Sequence, residues 1–295
     1  MKPGKEQTLG VVIAAYNAEA YLERAVSSVL RQTHDDWELV IVDDGSDDRT
    51  YELAREYAAA DARISALSIS NSGAAIARNE GSKKLVSDWF CFLDADDELA
   101  SDYVQQMSDF RDQNPGFQIY GCDGMRMQQD GSSELVFTYE DFFEVPLIRQ
   151  IQTNTIIGGG GLIEKASFDR VGCFRDVLAE DYDLWVRMLA AGCRAKVTPY
   201  IGYRYYKVKG QKSERVAANA QSVIGSLNFV QKNYDLPDEE KSALKASRRS
   251  LKTGILFLRI ERVLRLFLGA KKSGKAIEAI KSFARSSKKV VRGGS

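Results

Sequence analysis

The sequence predicts an α/β protein with a mostly parallel central sheet flanked by helices and a helical extension at its C-terminal end. Three observations predict it. Short, near-continuous apolar runs alternate with helically periodic stretches over the first part of the chain, carboxylates stand at the ends of two of those runs, and strand signals stop near residue 213. Apolar runs that do not alternate belong to strands covered on both faces, as in parallel sheets with helices on each side. A chain of 295 residues, 44% of them hydrophobic, can fill a sizeable core.

The first run, LGVVIAA from Leu9 to Ala15, reads as a strand. After it, NAEAYLERAVSSVLRQ spaces Ala20, Leu22, Ala25, Val26, Val29 and Leu30 at helical intervals. A second strand starts at Trp37 (WELVIVDD), and a helix follows from about Asp47, with Ser46 or Asp47 available to cap its first turn. The third strand, Arg63 to Ile69, leads to a helix from Gly73 to Leu85; the fourth is WFCFLD, from Trp89. A helix to about Gln113 comes next, then strand signals at Phe117 to Met127 and Leu135 to Thr138 around a turn at Gln129-Asp130-Gly131. The run Gly158 to Gly161 does not follow a strand into a helix as a dinucleotide fingerprint would, and reads as flexible backbone lining a pocket. Glu180 opens a further helix, and others are expected over Glu214 to Asn233 and from Asp238.

In open parallel sheets ligands bind beyond the carboxyl ends of the strands. Asp43 and Asp44 follow the second strand, and Asp94, Asp96, Asp97 and Glu98 follow the fourth. Such residues also start turns and cap helices, which accounts for either cluster alone better than for both on one edge. Packed carboxylates repel one another, so the second cluster implies a positive partner that the sequence does not contain.

Five stretches in fixed order carry a resemblance: VVIAAYNAEAYLERAVSSVLRQT, ELVIVDDGSDDRT, NSGAAIARNEG, FLDADDEL and EDYDLWVRM. From roughly Leu9 to Tyr206 the chain resembles glycosyltransferase family 2, whose members are inverting nucleotide-sugar transferases of the GT-A fold. The resemblance implies that Asp94, Ala95 and Asp96 form the acidic turn holding the nucleotide-sugar, with Mg²⁺ or Mn²⁺ on Asp96 and Asp97 a second candidate ligand. It places Ala14, Tyr16 and Asp44 at the nucleotide base, with Asp43 the alternative to Asp44, and Arg78 at the diphosphate or ribose. It makes Asp181 the general base that activates an acceptor hydroxyl, with Asp183 as runner-up. Glu180 and Trp185 are expected to contact the acceptor or orient the helix. Many relatives carry a downstream histidine that reaches the metal. The only histidine here is His34, at the end of the first helix, so Lys207, Lys209 or Lys212 could contact the diphosphate instead.

Activity, on this resemblance, is transfer of a sugar from a UDP-like donor to a hydroxyl of a glycan or lipid-linked acceptor in bacterial cell-surface polysaccharide or lipopolysaccharide assembly. The alternative is a nucleotide-sugar-binding module of the same fold without catalysis. Residues 1–212 would form the catalytic domain and 213–295 a basic amphipathic helical region.

That last region carries 16 Lys and Arg from Lys241 onward against only Glu261 and Glu278, although the whole chain is neutral. Within it, ILFLRIERVLRLFLG can lie on an anionic membrane surface, or pack on the catalytic domain or a second subunit of a homo-oligomer. Its dense Leu, Ile and Phe argue against a nucleic-acid partner. MKPGKEQTLG lacks the apolar region of a signal peptide, and no run reaches the length of a membrane span, so a cytoplasmic location is expected, peripheral on the inner face of the membrane if the basic helices bind lipid. Cys91, Cys122, Cys173 and Cys193 read as core thiols.

Overall fold

The computed structural model describes residues 8–128, 131–135, 141, 143–156, 159–206 and 216–257. Its first half alternates as expected: β1 (Leu9–Ala15), α1 (Leu22–Leu30), β2 (Trp37–Asp43), α2 (Thr50–Ala60), β3 (Ile64–Ser68), α3 (Ala74–Lys84) and β4 (Trp89–Asp94). The two-residue β5 (Glu98–Leu99) and α4 (Tyr103–Gln113) follow. Then come β6 (Ile119–Met127), β7 (Ser133–Leu135), β8 (Phe143–Glu144), α5 (Leu147–Thr153), β9 (Leu162–Glu164) and α6 (Lys165–Arg170). The chain continues through α7 (Glu180–Ala190), β10 (Ala195–Tyr206) and α8 (Val216–Asn233), and the last described helix, α9, occupies 238–257.

The sheet runs in the order β3-β2-β1-β4-β9-β6-β10-β5. Its first four strands are parallel, β9 is antiparallel to both β4 and β6, and β6 and β10 are parallel again. The chain starts in the middle, so strand order reverses between β1 and β4, where open α/β sheets form their binding crevice. Register puts Ala14 beside both Val42 and Asp94, so the ends of β1, β2 and β4 meet at one edge.

The apolar runs are buried on both faces because successive strand residues point in opposite directions. Val12, Val40, Phe90 and Phe92 enter one core, while Val11, Ile13, Leu39, Ile41 and Leu93 enter the other. Gly81 lets α3 approach the sheet closely: a Cβ there would lie 2.4 Å from Val12 Cγ1. That approach carries Arg78, one turn earlier, to the end of β4. The last described helices belong to the first of these cores, since Leu227, Val230, Leu236 and Leu244 pack with Trp185 and Met188.

Two starts differ from expectation. Helix α2 begins at Thr50, because Asp48 Oδ1 accepts from the Thr50 N–H at 3.0 Å and Ser46 and Asp47 are engaged with Asn17. Helix α1 begins at Leu22, after a turn in which Asn17 takes φ 48, a left-handed conformation that asparagine tolerates. Lys207, Lys209, Lys212, Gly158, Gln129, Asp130, the end of the strand expected to Thr138 and everything from residue 258 lie outside the described residues, including most of the basic apolar stretch. No described helix is long and apolar enough to cross a membrane.

Candidate active site

A cavity of about 890 Å³ opens where β1, β2 and β4 end. One wall is the β1 loop, with Ala14, Tyr16, Asn17 and Tyr21; the floor is Asp94, Ala95 and Asp96; Arg78 stands between them and α7, which contributes Glu180 and Asp181. Besides Glu180 and Asp181, the expected residues Ala14, Tyr16, Arg78, Asp94, Ala95 and Asp96 therefore meet on one surface. Tyr16 is 48% exposed, so its ring is open to a ligand.

Asp44 sits behind this surface. Its two carboxylate oxygens accept from the backbone N–H groups of Ser72 (2.7 Å) and Gly73 (2.8 Å), fixing the start of α3. Asp43 is tied still more deeply, accepting from Ser68 Oγ and the Ser46 N–H. Asn17, which sequence reading missed, joins the two loops: its N–H donates to Ser46 Oγ and its Oδ1 accepts from the Asp47 N–H.

The acidic turn divides into three environments. Arg78 Nη2 donates to Asp94 Oδ1 at 2.5 Å, so Asp94 already has a cationic partner. Asp96 is partly exposed on the cavity floor, and its backbone carbonyl accepts from Arg24 Nη2. Arg24 in turn stacks 3.8 Å over the Tyr206 ring. Asp97 is fully buried beneath the turn, where it accepts from the Tyr203 hydroxyl and, at 2.8 Å, from the Tyr206 N–H. Burial first, then the neighbouring charges of Asp94 and Asp96, push its pKa up to about 8. Carboxylate oxygens of Asp94, Asp96 and Asp97 all lie within 4.8 Å of one another, and an all-oxygen set suits a hard divalent cation.

The glycine run bears on this turn. A Cβ on Gly159 would lie 2.2 Å from Tyr203 Cζ, so glycine makes room for the ring that holds Asp97.

At the opposite wall, α7 begins with three acidic residues in its first turn, a placement the helix dipole favours. Glu180 pairs with Arg78 Nη1 at 3.0 Å. Asp181 lines the cavity, and burial raises its pKa above the ordinary value, with the backbone N–H of Tyr182 working against that rise. Asp183 turns away from the cavity into a buried pair with Arg187 (2.7 Å) and Arg175 (3.0 Å), so its geometry is that of a structural anion. Trp185 is fully buried in the core one turn below Asp181 and does not reach the cavity wall. His34 stays in the turn before β2, with Nδ1 accepting from the Asp36 N–H. Burial pushes the Cys91 and Cys122 thiols up to about 12, in keeping with inert core residues.

A parallel-strand crevice with an acidic turn on its floor and a carboxylate at the facing helix start defines a nucleotide-sugar transferase architecture, the GT-A fold. The match of the model for glycosyl transferase family 2 covers residues 10–172, and the chain belongs to that family. It is 29% identical over 195 residues to TuaG of Bacillus subtilis, named as a putative teichuronic acid biosynthesis glycosyltransferase, covering 63% of this chain and 74% of that one. It is 35% identical over 122 residues to the B. subtilis glycosyltransferase EpsJ, a match spanning 41% of this chain and only 35% of EpsJ. Among solved structures, S. aureus TarS 1–349 with UDP-GlcNAc superposes with a TM-score of 0.70 at 20% identity, over 83% of this chain and 72% of that one. The mannosyltransferase PcManGT of Pyrobaculum calidifontis, solved with GDP-Man and Mn²⁺, gives 0.66 at 16% identity over 95% and 81%.

Proposed function

We propose that this protein is an inverting glycosyltransferase that moves a sugar from a nucleoside-diphosphate donor, UDP-like, to a hydroxyl of a glycan or lipid-linked acceptor. The observation that carries this reading is the placement of Asp181 across one cavity from Asp94 and Asp96. The UDP-GlcNAc and GDP-Man bound by the two structural neighbours support a nucleotide-sugar donor, and the name of TuaG supports a place in cell-surface polysaccharide assembly.

On this reading Tyr16 offers its ring to the nucleobase, beside Ala14. Asp44 accepts the base's imide N–H, since a carboxylate has about four acceptor positions and two are in use. Arg78 presents its remaining donors to the diphosphate. Asp96, with Asp94 beside it, is the primary ligand for Mg²⁺ or Mn²⁺, and Asp97 supports the turn from below. The cation, when bound, would offset the charge that develops on the leaving diphosphate.

Asp181 takes the proton from the acceptor hydroxyl as its oxygen attacks the anomeric carbon. The bond to the diphosphate breaks on the opposite face, which inverts the anomeric centre. The raised pKa of Asp181 makes it a better base than a solvated aspartate. Asp181→Asn is expected to reduce transfer by about 10²- to 10⁴-fold with nucleotide affinity retained. A fully active variant would remove Asp181 from this role.

The reading also places the enzyme on the cytoplasmic side of the cell membrane, held peripherally by the basic stretch beyond residue 257. Equal sedimentation of the full chain and a form ending at residue 257 with anionic vesicles would refute that placement.

A further inference from the structure

The cavity has a second half that the acidic turn does not touch. Its wall is the end of α5, with Thr153 and Asn154, and the inner faces of α8 and α9, with Asn219, Ser247 and Ser250. Val223 and Leu251 add an apolar patch between them.

Hydrogen bonds among the described residues bind these helices to the catalytic elements. Ser222 Oγ of α8 accepts from the Ala179 N–H at 3.1 Å, satisfying a backbone donor at the residue before Glu180 and Asp181. Ser247 Oγ of α9 donates to the Ile151 carbonyl at 3.4 Å. Arg175, which pairs with Asp183 of α7, stacks 3.8 Å over Phe229 of α8. Helices α8 and α9 are thus part of the wall facing Asp181.

The chemistry of that wall is specific. Among the described residues, the charged ones lining the cavity, Arg78, Asp94, Asp96, Glu180 and Asp181, stand on the donor side or at its junction with α7. Among the described residues on the α5, α8 and α9 side, the lining groups are amides, hydroxyls and aliphatic carbons. Recognition of a phosphate calls for Arg, Lys or a helix N-terminus. Here α5 presents its C-terminal end, whose carbonyls disfavour anions, and the first turn of α7 already carries the carboxylates of Glu180 and Asp181. Amide and hydroxyl groups around an apolar patch instead match the hydroxyls and C–H face of a sugar.

We propose that residues 216–257 form the acceptor wall of this site and that the group seated there is an uncharged saccharide rather than a phosphorylated one. The proposal rests on the glycosyltransferase reading above and names the acceptor class within it.

A test that needs no turnover is saturation-transfer NMR on the full chain with Mg²⁺ and UDP or GDP, whichever raises Tm. The probes are the methyl glycosides of glucose, galactose and N-acetylglucosamine, each with its 6-phosphate. At least one neutral glycoside is expected to give stronger transfer than its phosphate, with the signal falling about ten-fold in Ser250→Trp. Ser250 is exposed, so this variant is expected to fold, and the nucleotide-induced Tm shift should match the wild type. Equal or stronger signals from the 6-phosphates, no signal from any neutral glycoside, or an unchanged signal in Ser250→Trp would each overturn the proposal. Loss of the nucleotide Tm shift in the wild type would instead count against the donor site, and is read separately.

Discussion

The guanidinium of Arg78 lies 3.0 Å from the carboxylate of Glu180, tying α3 to the first residue of α7 across the cavity. Its other arm holds Asp94 at the end of β4. Burial acts against the Arg78 charge, but the carboxylates of Asp94 and Glu180 overcome it and raise the pKa, so this residue stays cationic. One side chain therefore ties the acidic turn after β4 to the helix that bears Asp181.

Arg78→Met removes the guanidinium that pairs with Glu180, whose side chain is 10% exposed. Breaking a buried pair by removing one partner is expected to cost about 3 kcal/mol, read as a lower denaturation midpoint. Arg78→Lys keeps the charge but loses the two-armed fork, so it should fold while donor affinity falls about ten-fold. A Met variant as stable as the wild type would contradict the bridging role.

Asp181 predicts a pH dependence in both rate and stability. Its folded-state pKa is raised, so the deprotonated, competent form appears only above the usual range, and the acid limb of acceptor-dependent turnover should lie above that of an ordinary aspartate. For stability the sign follows from proton uptake. The folded state binds this proton more tightly, so the contribution is full below the unfolded pKa and is lost as pH rises through the folded one. Asparagine does not titrate. The Tm of Asp181→Asn should therefore gain on the wild type as pH rises, and a difference that shrinks over the same range would be wrong for a buried Asp181.

Asp96→Ala should abolish the part of nucleotide binding that Mg²⁺ or Mn²⁺ enhances, measured by calorimetry with and without chelator. Metal enhancement that survived this change would move the primary ligand elsewhere in the turn.

Asp183→Asn separates the two acids of α7. Because Asp183 is fully buried between Arg187 and Arg175, the expected loss is about 3–5 kcal/mol of stability, with turnover per folded molecule close to that of the wild type. The opposite pattern, intact stability with lost turnover, would make Asp183 the base.

Gly159→Ala should drive the Tyr203 ring away from Asp97, since the added carbon would fall 2.2 Å from Tyr203 Cζ. Overpacking of this kind costs about 1–3 kcal/mol, and a thermal melt unchanged from the wild type would show that the loop yields instead.

Much of this site was legible in the sequence because strand ends announce themselves. Leu9 to Ala15, Trp37 to Asp43 and Trp89 to Asp94 are apolar runs that stop at polar residues, and parallel pairing brings such stops to one edge. Asp183 was less legible: Asp181 and Asp183 look alike in EDYDLWVRM, and only the positions of Arg175 and Arg187 show which one faces the cavity. Trp185 was expected near the acceptor and lies in the core instead, because one helical turn separates it from the cavity-lining start of α7. Arg24, Asn17 and Tyr203 gave no signal, as their partners lie 72, 30 and 106 residues away.

By itself the sequence determined the alternating strands and helices, the shared edge of β1, β2 and β4, and the carboxylates delivered there, because these follow from local periodicity and chain direction. The tertiary structure decided how those carboxylates differ. Arg78 neutralises Asp94, Tyr203 and Tyr206 hold Asp97 below the turn, and α8 and α9 close the cavity with uncharged groups. Each of these depends on contacts between residues far apart in the chain, whose burial and charge environment exist only once the core has formed.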